Sequence, residues 1–312
     1  MARLPPPGRM VDIGGFRLHL DARGGGDGPT VVFDAALGGS SISWTLVHDE
    51  VARFARACTY DRAGFGWSDA GPMPRTAGRV ADELRVLLAR AGEPPPYVIV
   101  GHSFGGLVAR IFAGRYRDVT AGLVLVDPAR PRDWRDPGPA NQARIDRGVQ
   151  LCRYGARAAR LGIARMVSTL VDLGALGPAR ALTRFASRGG VGSRDEQILA
   201  PMWKLPPAAR RPLRQFWTRA AFYEALGSQI GSIATSAEET LAAASDGYGD
   251  LPLVTISASN PTDHERRAQE DVLALSTRAR HVIARNSSHW IPLDEPATVI
   301  DAIRAVHDEA AG

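Results

Sequence analysis

The sequence predicts an α/β fold, in which a mostly parallel, twisted sheet carries helices on both faces. Along most of the chain, short apolar, β-branched runs alternate with helical patterns, and this alternation is typical of βαβ units. The alternation stops between residues 131 and 248, where only helical patterns separated by proline and glycine remain. We therefore expect a core formed by residues 1–130 and 249–312, with an all-helical cap inserted over residues 131–248.

The predicted core elements follow one another as strand, helix and strand. A β-hairpin with Gly14-Gly15 at its turn comes first, and Thr76 is the predicted N-cap of the second helix. The predicted strands are 10–20 (the hairpin), 30–33, 56–60, 97–100, 122–126, 252–256 and 281–284. The predicted core helices are 44–51, 76–91, 107–116 and 265–275, with a last helix from residue 297.

The predicted cap contains two clear helical patterns, over residues 141–173 and 212–226. The chain leaves the sheet after one predicted strand and returns at the next, so the insertion is expected to cover the carboxyl edge of the sheet. Open α/β sheets bind their ligands at that edge. We therefore expect the cap to be mobile and to gate a binding site.

The stretch Tyr97–Gly106 places a Gly-x-Ser-x-Gly motif, Gly101 to Gly105, between a buried strand and a helix. In that setting the motif forms a nucleophile elbow, a turn so sharp that the serine hydroxyl is exposed. The strand and the helix then pass close to positions 101 and 105, where only glycine leaves room. Ser103 is therefore the candidate nucleophile, although the motif alone also occurs in turns with an idle serine.

The composition is that of a globular protein, with 45% hydrophobic and 23% charged residues. No apolar run reaches the roughly 18–20 residues of a membrane span. Pro5-Pro6-Pro7 stands where a signal peptide would need an apolar stretch, so we expect a cytoplasmic protein. Two cysteines, Cys58 and Cys152, do not make a disulfide framework and are expected to be buried thiols.

Basic residues concentrate in the predicted cap. Residues 130–219 contain 18 Lys+Arg and 6 Asp+Glu, a net charge of +12, whereas the other residues contain 20 and 27, a net charge of −7. A basic cap could make peripheral contact with an anionic surface or an acidic partner. Solvated, arginine-rich helix faces explain the same charge more simply. No nucleic-acid-binding motif accompanies the charge, so no nucleic-acid partner is expected.

Four stretches resemble the α/β-hydrolase family, in its cap-bearing, lipase- and esterase-like branch. They are Leu37-Gly-Gly-Ser-Ser with Trp44, Tyr60 to Ser68, Gly101 to Gly105, and Asn286-Ser-Ser-His-Trp with Leu293-Asp-Glu-Pro. The resemblance extends over nearly the full chain and implies an α/β-hydrolase fold. The His-Gly that usually precedes the family's oxyanion loop is Ala35-Ala36 here, but a backbone N–H donor does not depend on those side chains.

The resemblance implies a triad in the order serine, acid, histidine. His289 follows the predicted strand 281–284 at the family's position and is the expected general base for Ser103. The backbone N–H groups of Phe104 and Leu37 are the expected oxyanion donors. Three further residues of the matching stretches are expected to be structural: Asp61, Arg62 and His102.

Two carboxylates are candidates for the acid of the triad. Asp127 directly follows a predicted strand, and Asp263 lies in the loop after strand 252–256, which most of the family uses for the acid. The family's Gly-x-x-Asp is missing from that loop, where the nearest alignment puts Asn260 or Pro261 at the acid position. Asp127 needs no rearrangement of the chain, so we prefer Asp127 and keep Asp263 as the alternative.

These residues predict a serine hydrolase that cleaves the carboxylic ester of a small-molecule acyl substrate through an acyl-enzyme on Ser103. The alternatives are acyl transfer, lactone, amide or C–C bond hydrolysis at the same site, and a non-catalytic ligand receptor on this fold. Relatives that open epoxides or remove halogens carry a carboxylate at the elbow, so Ser103 argues against both. No cofactor or metal is expected, because no cluster of His, Cys and carboxylates has metal-ligand spacing.

The cap is expected to select the substrate, and its aromatic residues are the candidate lining of an acyl pocket. Packing of the cap against the core is the simpler explanation for each of the cap residues. The candidates are Met202, Trp203, Phe216, Trp217, Phe222 and Tyr223 in the cap, and Trp290 beside the expected base.

Overall fold

Eight strands form one sheet in the computed structural model, which describes residues 4–175, 204–258 and 262–312. The strands are β1 (Arg9–Asp12), β2 (Arg17–Arg23), β3 (Thr30–Asp34), β4 (Ala57–Tyr60), β5 (Tyr97–His102), β6 (Thr120–Val126), β7 (Leu253–Ala258) and β8 (Ala279–Ala284). Their order across the sheet is β1-β2-β4-β3-β5-β6-β7-β8. The β1/β2 and β2/β4 pairs are antiparallel and the other pairs are parallel, which confirms the predicted fold class.

Helices connect the parallel strands and fill the insertion between β6 and β7. The helices of the first half are α1 (His48–Val51), α2 (Ala77–Ala91) and α3 (Phe104–Arg115), with 3-10 turns at Ser41–Trp44 and Arg117–Val119. Those of the insertion are α4 (Pro131–Arg135), α5 (Pro139–Arg160), α6 (Ile163–Asp172), α7 (Pro207–Phe216), α8 (Ala220–Gly231) and α9 (Ile233–Ala243). The last part of the chain contributes α10 (Asp263–Leu273), α11 (Ile291–Asp294) and α12 (Pro296–Ala311).

The central strands are buried on both faces, as expected of a parallel sheet. In β5, Tyr97 and Ile99 pack on the face covered by α2 and α3, whereas Val98 and Val100 pack on the face covered by α1 and α12. Each of these four side chains is at most 1% exposed. Because both faces are covered by helices, a ligand can reach the central strands only at their ends.

Helix α2 begins as the sequence predicts. The Thr76 side-chain oxygen accepts a hydrogen bond of 3.2 Å from the backbone N–H of Arg79, which satisfies one of the donors left free at a helix start. The helix ends at Gly92, whose φ of 70° is the left-handed conformation that a side chain disfavours.

Two helical patterns that the sequence predicts as continuous are each divided in the structure. The pattern over residues 141–173 becomes α5 and α6, because Gly162 takes a φ of 78° after α5 and stops it. The pattern over residues 212–226 becomes α7 and α8, because Arg219 between them is extended. The Arg219 guanidinium donates to the carbonyl oxygens of Gly66 and Ser68, so a contact with the core holds this break.

The predicted helix over residues 44–51 also differs, since a 3-10 turn over Ser41–Trp44 precedes the short helix α1. In the insertion, the described residues form helices and no strand. The insertion leaves and rejoins the sheet at neighbouring strands, with Val126 of β6 opposite Ile256 of β7. Within the described parts of the chain, no helix combines the length and the apolar character needed to cross a membrane.

Helix α9 is fixed to the core, although it belongs to the insertion. The Ser236 hydroxyl oxygen accepts from the N–H of Ala77 at 3.0 Å, and the Glu239 carboxylate accepts from the N–H of Gly78 at 2.8 Å. The carboxylate also accepts from the hydroxyl of Thr76 at 3.0 Å. An anionic side chain at a helix start is stabilised by the free N–H groups there, so these contacts join α9 to the start of α2.

Candidate active site

Ser103 occupies the sharp turn between β5 and α3. Its backbone has φ 54° and ψ −114°, a conformation that non-glycine residues rarely adopt. A Cβ atom on Gly101 would stand 2.3 Å from the carbonyl oxygen of Gly105, and one on Gly105 would stand 2.3 Å from that of Asp34. Both positions therefore require glycine, because any side chain there would push the strand, the helix or the loop after β3 apart.

Asp127 shares the unusual backbone conformation of Ser103. Among the described non-glycine residues, these two are the ones with a positive φ, and that of Asp127 is 37°. Asp127 follows β6 directly, and its N–H donates to the carbonyl oxygen of Ile256 in β7 at 2.7 Å. Backbone strain of this kind costs about 1–3 kcal/mol per residue and tends to occur at functional sites. The strain thus marks the ends of the two adjacent strands β5 and β6.

The His289 ring contacts the Asp127 carboxylate. His289 Nδ1 lies 2.6 Å from Asp127 Oδ2, and the side chains are 45% and 25% exposed. A carboxylate partner at Nδ1 keeps the proton on that nitrogen and leaves Nε2 with a lone pair that can accept a proton. The alternative acid, Asp263, starts α10 with a side chain 85% exposed and pairs with Arg266.

His102 places the His289 ring next to the elbow. Its Nε2–H donates to the carbonyl oxygen of His289 at 2.7 Å, and the two ring centroids are 4.9 Å apart. Burial, together with the nearby His289, lowers the pKa of His102 to about 3, so His102 stays neutral near pH 7. Within the described chain, no hydrogen bond joins Ser103 Oγ to His289, and such bonds are often long before a substrate binds.

The loop after β3 is held by a buried arginine. Arg62 Nε donates to Asp34 Oδ1 at 2.7 Å, and its Nη1 and Nη2 donate to the carbonyl oxygens of Ala36 and Ala35. The same guanidinium lies 4.9 Å from the centre of the Phe104 ring. A planar guanidinium with five N–H donors suits this arrangement, in which one side chain fixes a carboxylate and two carbonyls.

Asp61 fixes the neighbouring loops in a similar way. Its buried carboxylate accepts from the N–H groups of Ser41 at 2.7 Å and Trp67 at 2.9 Å, and it pairs with His19 Nδ1 at 2.9 Å. Burial alone would raise the pKa of Asp61, but the bonds with His19 and the two N–H groups lower it. Asp61 and Arg62 therefore have the structural surroundings that the sequence predicts.

The two predicted oxyanion donors lie on segments in direct contact. Phe104 is the first residue of α3, so its N–H has no partner within the helix. A Cβ atom on Gly105 would stand 2.8 Å from the carbonyl oxygen of Ala35, so the start of α3 touches the loop that carries Leu37. Among the described residues, neither the N–H of Leu37 nor that of Phe104 donates a hydrogen bond to the backbone. Both N–H groups remain available to a ligand.

A family model described as the alpha/beta hydrolase family matches residues 31–302, most of the chain. The chain belongs to this family. The uncharacterized protein YqjL of Bacillus subtilis is 38% identical to this hydrolase-family chain over 121 residues, which cover 39% of the chain and 48% of YqjL. The match thus spans about half the length of that relative.

Two solved structures have a fold similar to that of this alpha/beta hydrolase chain. A thermophilic esterase from Thermogutta terrifontis superposes with a TM-score of 0.64 at 20% identity, over 95% of each chain. The epoxide hydrolase CorEH superposes with a TM-score of 0.59 at 20% identity, over 95% of this chain and 96% of that one. At this level of identity both likenesses show the fold alone.

Helix α8 of this alpha/beta hydrolase lies over the loops after β3 and β4. Leu226 Cδ1 is 3.3 Å from the position that a Cβ atom on Gly38 would take, next to Leu37. One turn earlier, the Phe222 ring packs on that of Phe65 at 5.6 Å between centroids. Leu226 of α8 thus contacts the loop of the predicted oxyanion donor, and this tertiary contact corresponds to no motif in the sequence.

The predicted pocket residues that the structure describes fall into three groups. Phe216 and Phe222 are buried in packing contacts between the insertion and the core, Phe216 with the Trp67 ring at 4.8 Å. Trp290 lies nearest the candidate base, 5.6 Å from the His289 ring. Trp217 and Tyr223 pack at the edge of the Phe65 and Phe222 cluster. Met202 and Trp203 lie outside the described residues, as do Asn260 and Pro261.

Both cysteines are buried free thiols, as predicted. Burial raises the pKa of Cys152 to about 12, and it also raises that of Cys58. A thiol with a raised pKa carries little thiolate near pH 7 and is a poor nucleophile. In the parts of the chain that the structure describes, no three His, Cys or carboxylate side chains come together as metal ligands would.

Proposed function

We propose that this alpha/beta hydrolase cleaves carboxylic esters through an acyl-enzyme on Ser103. The observation that carries the proposal is a serine hydroxyl at the strained elbow, where Ser103 has a φ of 54°, near a paired histidine and carboxylate. In that pair, His289 Nδ1 lies 2.6 Å from Asp127 Oδ2. A serine hydroxyl needs a base to become nucleophilic, and His289 has the free ring nitrogen for this role. Asp127 orients His289 and stabilises the imidazolium that forms during attack.

The first half of the reaction forms the acyl-enzyme. His289 Nε2 takes the Ser103 proton while Oγ attacks the ester carbonyl, and the carbonyl electrons move to the oxygen. The N–H groups of Leu37 and Phe104 stabilise this oxyanion, and each such donor is worth about 3–4 kcal/mol. When the tetrahedral intermediate collapses, the His289 imidazolium gives its proton to the leaving alkoxide.

The second half of the reaction releases the acid. Water enters after the alcohol leaves, and His289 takes a proton from the water as its oxygen attacks the acyl carbonyl. Collapse of the second intermediate returns the proton from His289 to Ser103 Oγ and frees the carboxylic acid. The exposed position of His289, 45% open to solvent, is compatible with this entry of water.

The nucleophile type favours ester cleavage over epoxide opening. Relatives that open epoxides resemble this chain in fold, but the resemblance implies a carboxylate at their elbow. A carboxylate attacks an epoxide carbon and forms an ester that water can hydrolyse, whereas a serine attack would leave a stable ether. Ser103 therefore suits acyl transfer to its hydroxyl.

A panel of p-nitrophenyl esters of increasing acyl length tests the proposal. Wild-type protein should release p-nitrophenol and Ser103→Ala should lose nearly all of that activity, because nucleophile and base act as a unit. Ser245→Ala, which changes an exposed serine beyond α9, is the matched control and should keep wild-type activity. A folded Ser103→Ala protein with more than a few per cent of wild-type kcat would refute the nucleophile.

A fluorophosphonate probe provides a second measurement that does not depend on choosing the right ester. The phosphorus is attacked by Ser103 Oγ, fluoride leaves, and the serine becomes phosphonylated. Mass spectrometry of the digested protein should place the modification on the peptide that contains Ser103. Modification of a different serine, or none at all, would contradict the proposal.

A further inference from the structure

Lys204 is the single lysine of a chain that has 38 basic residues. It stands shortly before α7, on the insertion side of the molecule. Its ammonium Nζ lies 2.5 Å from Asp294 Oδ1 and donates to Ser288 Oγ at 3.1 Å. Ser288 immediately precedes the candidate base His289, so this one side chain links the insertion to the loop that carries the base.

Asp294 connects the two partners of Lys204. Its Oδ2 accepts from the N–H of Ser288 at 3.0 Å and from the Ser288 hydroxyl at 2.6 Å. The donor and acceptor roles agree, because the Ser288 hydroxyl gives its proton to Asp294 and accepts one from Lys204. Burial raises the pKa of Asp294, but the bonds with Lys204 and Ser288 lower it overall, so the carboxylate is ionised near pH 7.

An apolar contact accompanies the charged one. Leu205, next to Lys204, is 3% exposed and packs in one cluster with Leu293 and Phe216. Leu293 precedes Asp294 in the short helix α11, which closes the loop of His289. The segment 204–216 of the insertion therefore rests on the loop 285–294 through both an ion pair and buried side chains.

We propose that Lys204 is a positioning residue for His289. Its ammonium holds Ser288 and Asp294 in place and thereby couples the segment 204–216 of the insertion to the candidate base. The inference rests on the proposed function. His289 is fixed from three sides: its ring by Asp127, its carbonyl oxygen by His102, and the preceding residue by Lys204 and Asp294. Removal of the third support leaves the ring free to tilt away from Ser103.

The exposure of the ion pair separates this role from a general contribution to stability. The Lys204 side chain is 32% exposed and that of Asp294 is 15% exposed. Pairs that reach solvent add little to the free energy of unfolding. Misplacing a catalytic group by about 1 Å, in contrast, can lower the rate roughly 100-fold. A positioning role therefore predicts a loss of kcat without a comparable loss of stability.

Lys204→Met, which keeps most of the length of the side chain and removes its charge, tests whether Lys204 positions His289. We expect kcat to fall about 10- to 100-fold with KM nearly unchanged. Lys204→Arg should recover a substantial part of kcat, because a guanidinium can still pair with Asp294. The matched control is Arg211→Met, which removes one charge from an exposed position of α7 and should keep wild-type kcat.

Three results would overturn the inference. Lys204→Met could keep wild-type kcat, it could raise KM with kcat unchanged, or its lower kcat could match a lower folded fraction in urea. The second result would assign Lys204 to substrate binding, and the third would assign it to stability alone.

Labelling of Lys204 separates this inference from the proposed function. A lysine-directed acylating reagent has one lysine to modify, and the ion pair with Asp294 should slow its reaction in the wild-type protein. Asp294→Asn should increase the labelling rate at Lys204 several-fold, whether or not any ester is hydrolysed. Equal rates in the two proteins would refute the contact, whereas an inactive wild type with the expected labelling would refute only the proposed function.

Discussion

His102 donates a hydrogen bond of 2.7 Å to the carbonyl oxygen of His289, a residue 187 positions away in the chain. The bond joins the residue before the candidate nucleophile to the candidate base. It therefore fixes the distance between the end of β5 and the loop after β8 without using either reactive group. A buried, neutral imidazole suits this purpose, because its protonation would place a charge where little solvent can stabilise it.

Replacement of His102 should change how stability depends on pH. The folded pKa of about 3 lies below the ordinary value of 6.5, so the unfolded chain takes up a proton that the folded chain refuses. The free energy of unfolding therefore has its full value, as far as His102 is concerned, above pH 6.5. It decreases as the pH falls towards 3, by up to about 4 kcal/mol. Urea unfolding at pH 7, 5 and 4 should show wild type losing stability faster than His102→Gln, which keeps an N–H donor but does not titrate.

Comparison of His102→Gln with a second variant, His102→Leu, tests whether the hydrogen bond to His289 matters for catalysis. His102→Leu has no donor, so the His289 loop loses one support and kcat should fall roughly tenfold or more. His102→Gln should fall less than His102→Leu. Equal losses in both variants, at equal folded fractions, would mean that the hydrogen bond to His289 is not what matters.

Two substitutions test which carboxylate is the acid of the proposed triad. Asp127→Asn keeps the shape of the side chain and removes its charge, which should lower kcat by up to about 10⁴-fold through the wrong His289 tautomer. Asp263→Asn serves as the matched control, because its side chain is 85% exposed and pairs with Arg266. Steady-state kinetics with one p-nitrophenyl ester compares them. The reverse order of effects would assign the acid to Asp263.

Arg62 should influence the rate although it touches no reacting atom. Arg62→Lys keeps the charge, but one ammonium cannot span Asp34 and the carbonyl oxygens of Ala35 and Ala36 together. The loop of the Leu37 donor should then loosen, and kcat should fall roughly 10- to 100-fold. Arg53→Lys, at an exposed position of the same half of the chain, is the control. Wild-type kcat in folded Arg62→Lys would show that the loop keeps its conformation without the hydrogen bonds of the Arg62 guanidinium.

Leu226 should limit the length of the acyl chain, because it lies against Gly38, next to the predicted oxyanion donor Leu37. Leu226→Ala opens space there, so the ratio of kcat/KM for a long ester to that for an acetyl ester should rise about tenfold. Leu161→Ala, which truncates a 76% exposed leucine elsewhere in the insertion, should leave the ratio unchanged. An unchanged ratio in Leu226→Ala would place the acyl chain on another path.

Hydrogen exchange should divide the insertion into two parts. The sequence predicts that residues 131–248 move as a lid, and this stays a prediction. The hydrogen bonds of Ser236 and Glu239 with the start of α2 fix α9 to the core, so we expect the mobile part of the insertion to exclude α9. We expect amides of α9 to exchange as slowly as those of α2, and amides of α8 to exchange faster than those of β5. Equal protection of α8 and β5 would argue against a moving lid.

Much of the core could be predicted from the sequence, because its signals are local. A glycine pair at the hairpin turn, apolar runs and Thr76 at a helix start each specify an element through nearby residues. The breaks inside the insertion were harder. Gly162 is a helix-stop signal that the periodic pattern obscured, whereas the break at Arg219 depends on its bonds to Gly66 and Ser68, which no local pattern encodes.

The candidate site divides in the same way. Ser103 and Asp127 directly follow β5 and β6, two strands that the sequence predicts, and Ser103 and His289 lie in stretches that resemble the family, so their positions in the chain already indicate their placement. Arg62, Leu226 and Lys204 support the site through contacts between segments far apart in sequence. Lys204 and Ser288, for example, are 84 positions apart, and nothing near either of them in the sequence predicts their contact.

The insertion leaves the sheet after β6 and returns at β7, and these strands are hydrogen-bonded neighbours, with Leu123 opposite Leu253. In terms of connectivity, the described helices α4 to α9 therefore lie in one long crossover between two parallel strands, where a βαβ unit has a single helix. No strand pair of the described sheet contains a residue of α4 to α9, so we expect exchange of the helices before α9 to leave the order of the strands unchanged. We expect a chimera that retains α9 and replaces the preceding helices to keep the elbow and, if the proposed function holds, to change its acyl selectivity.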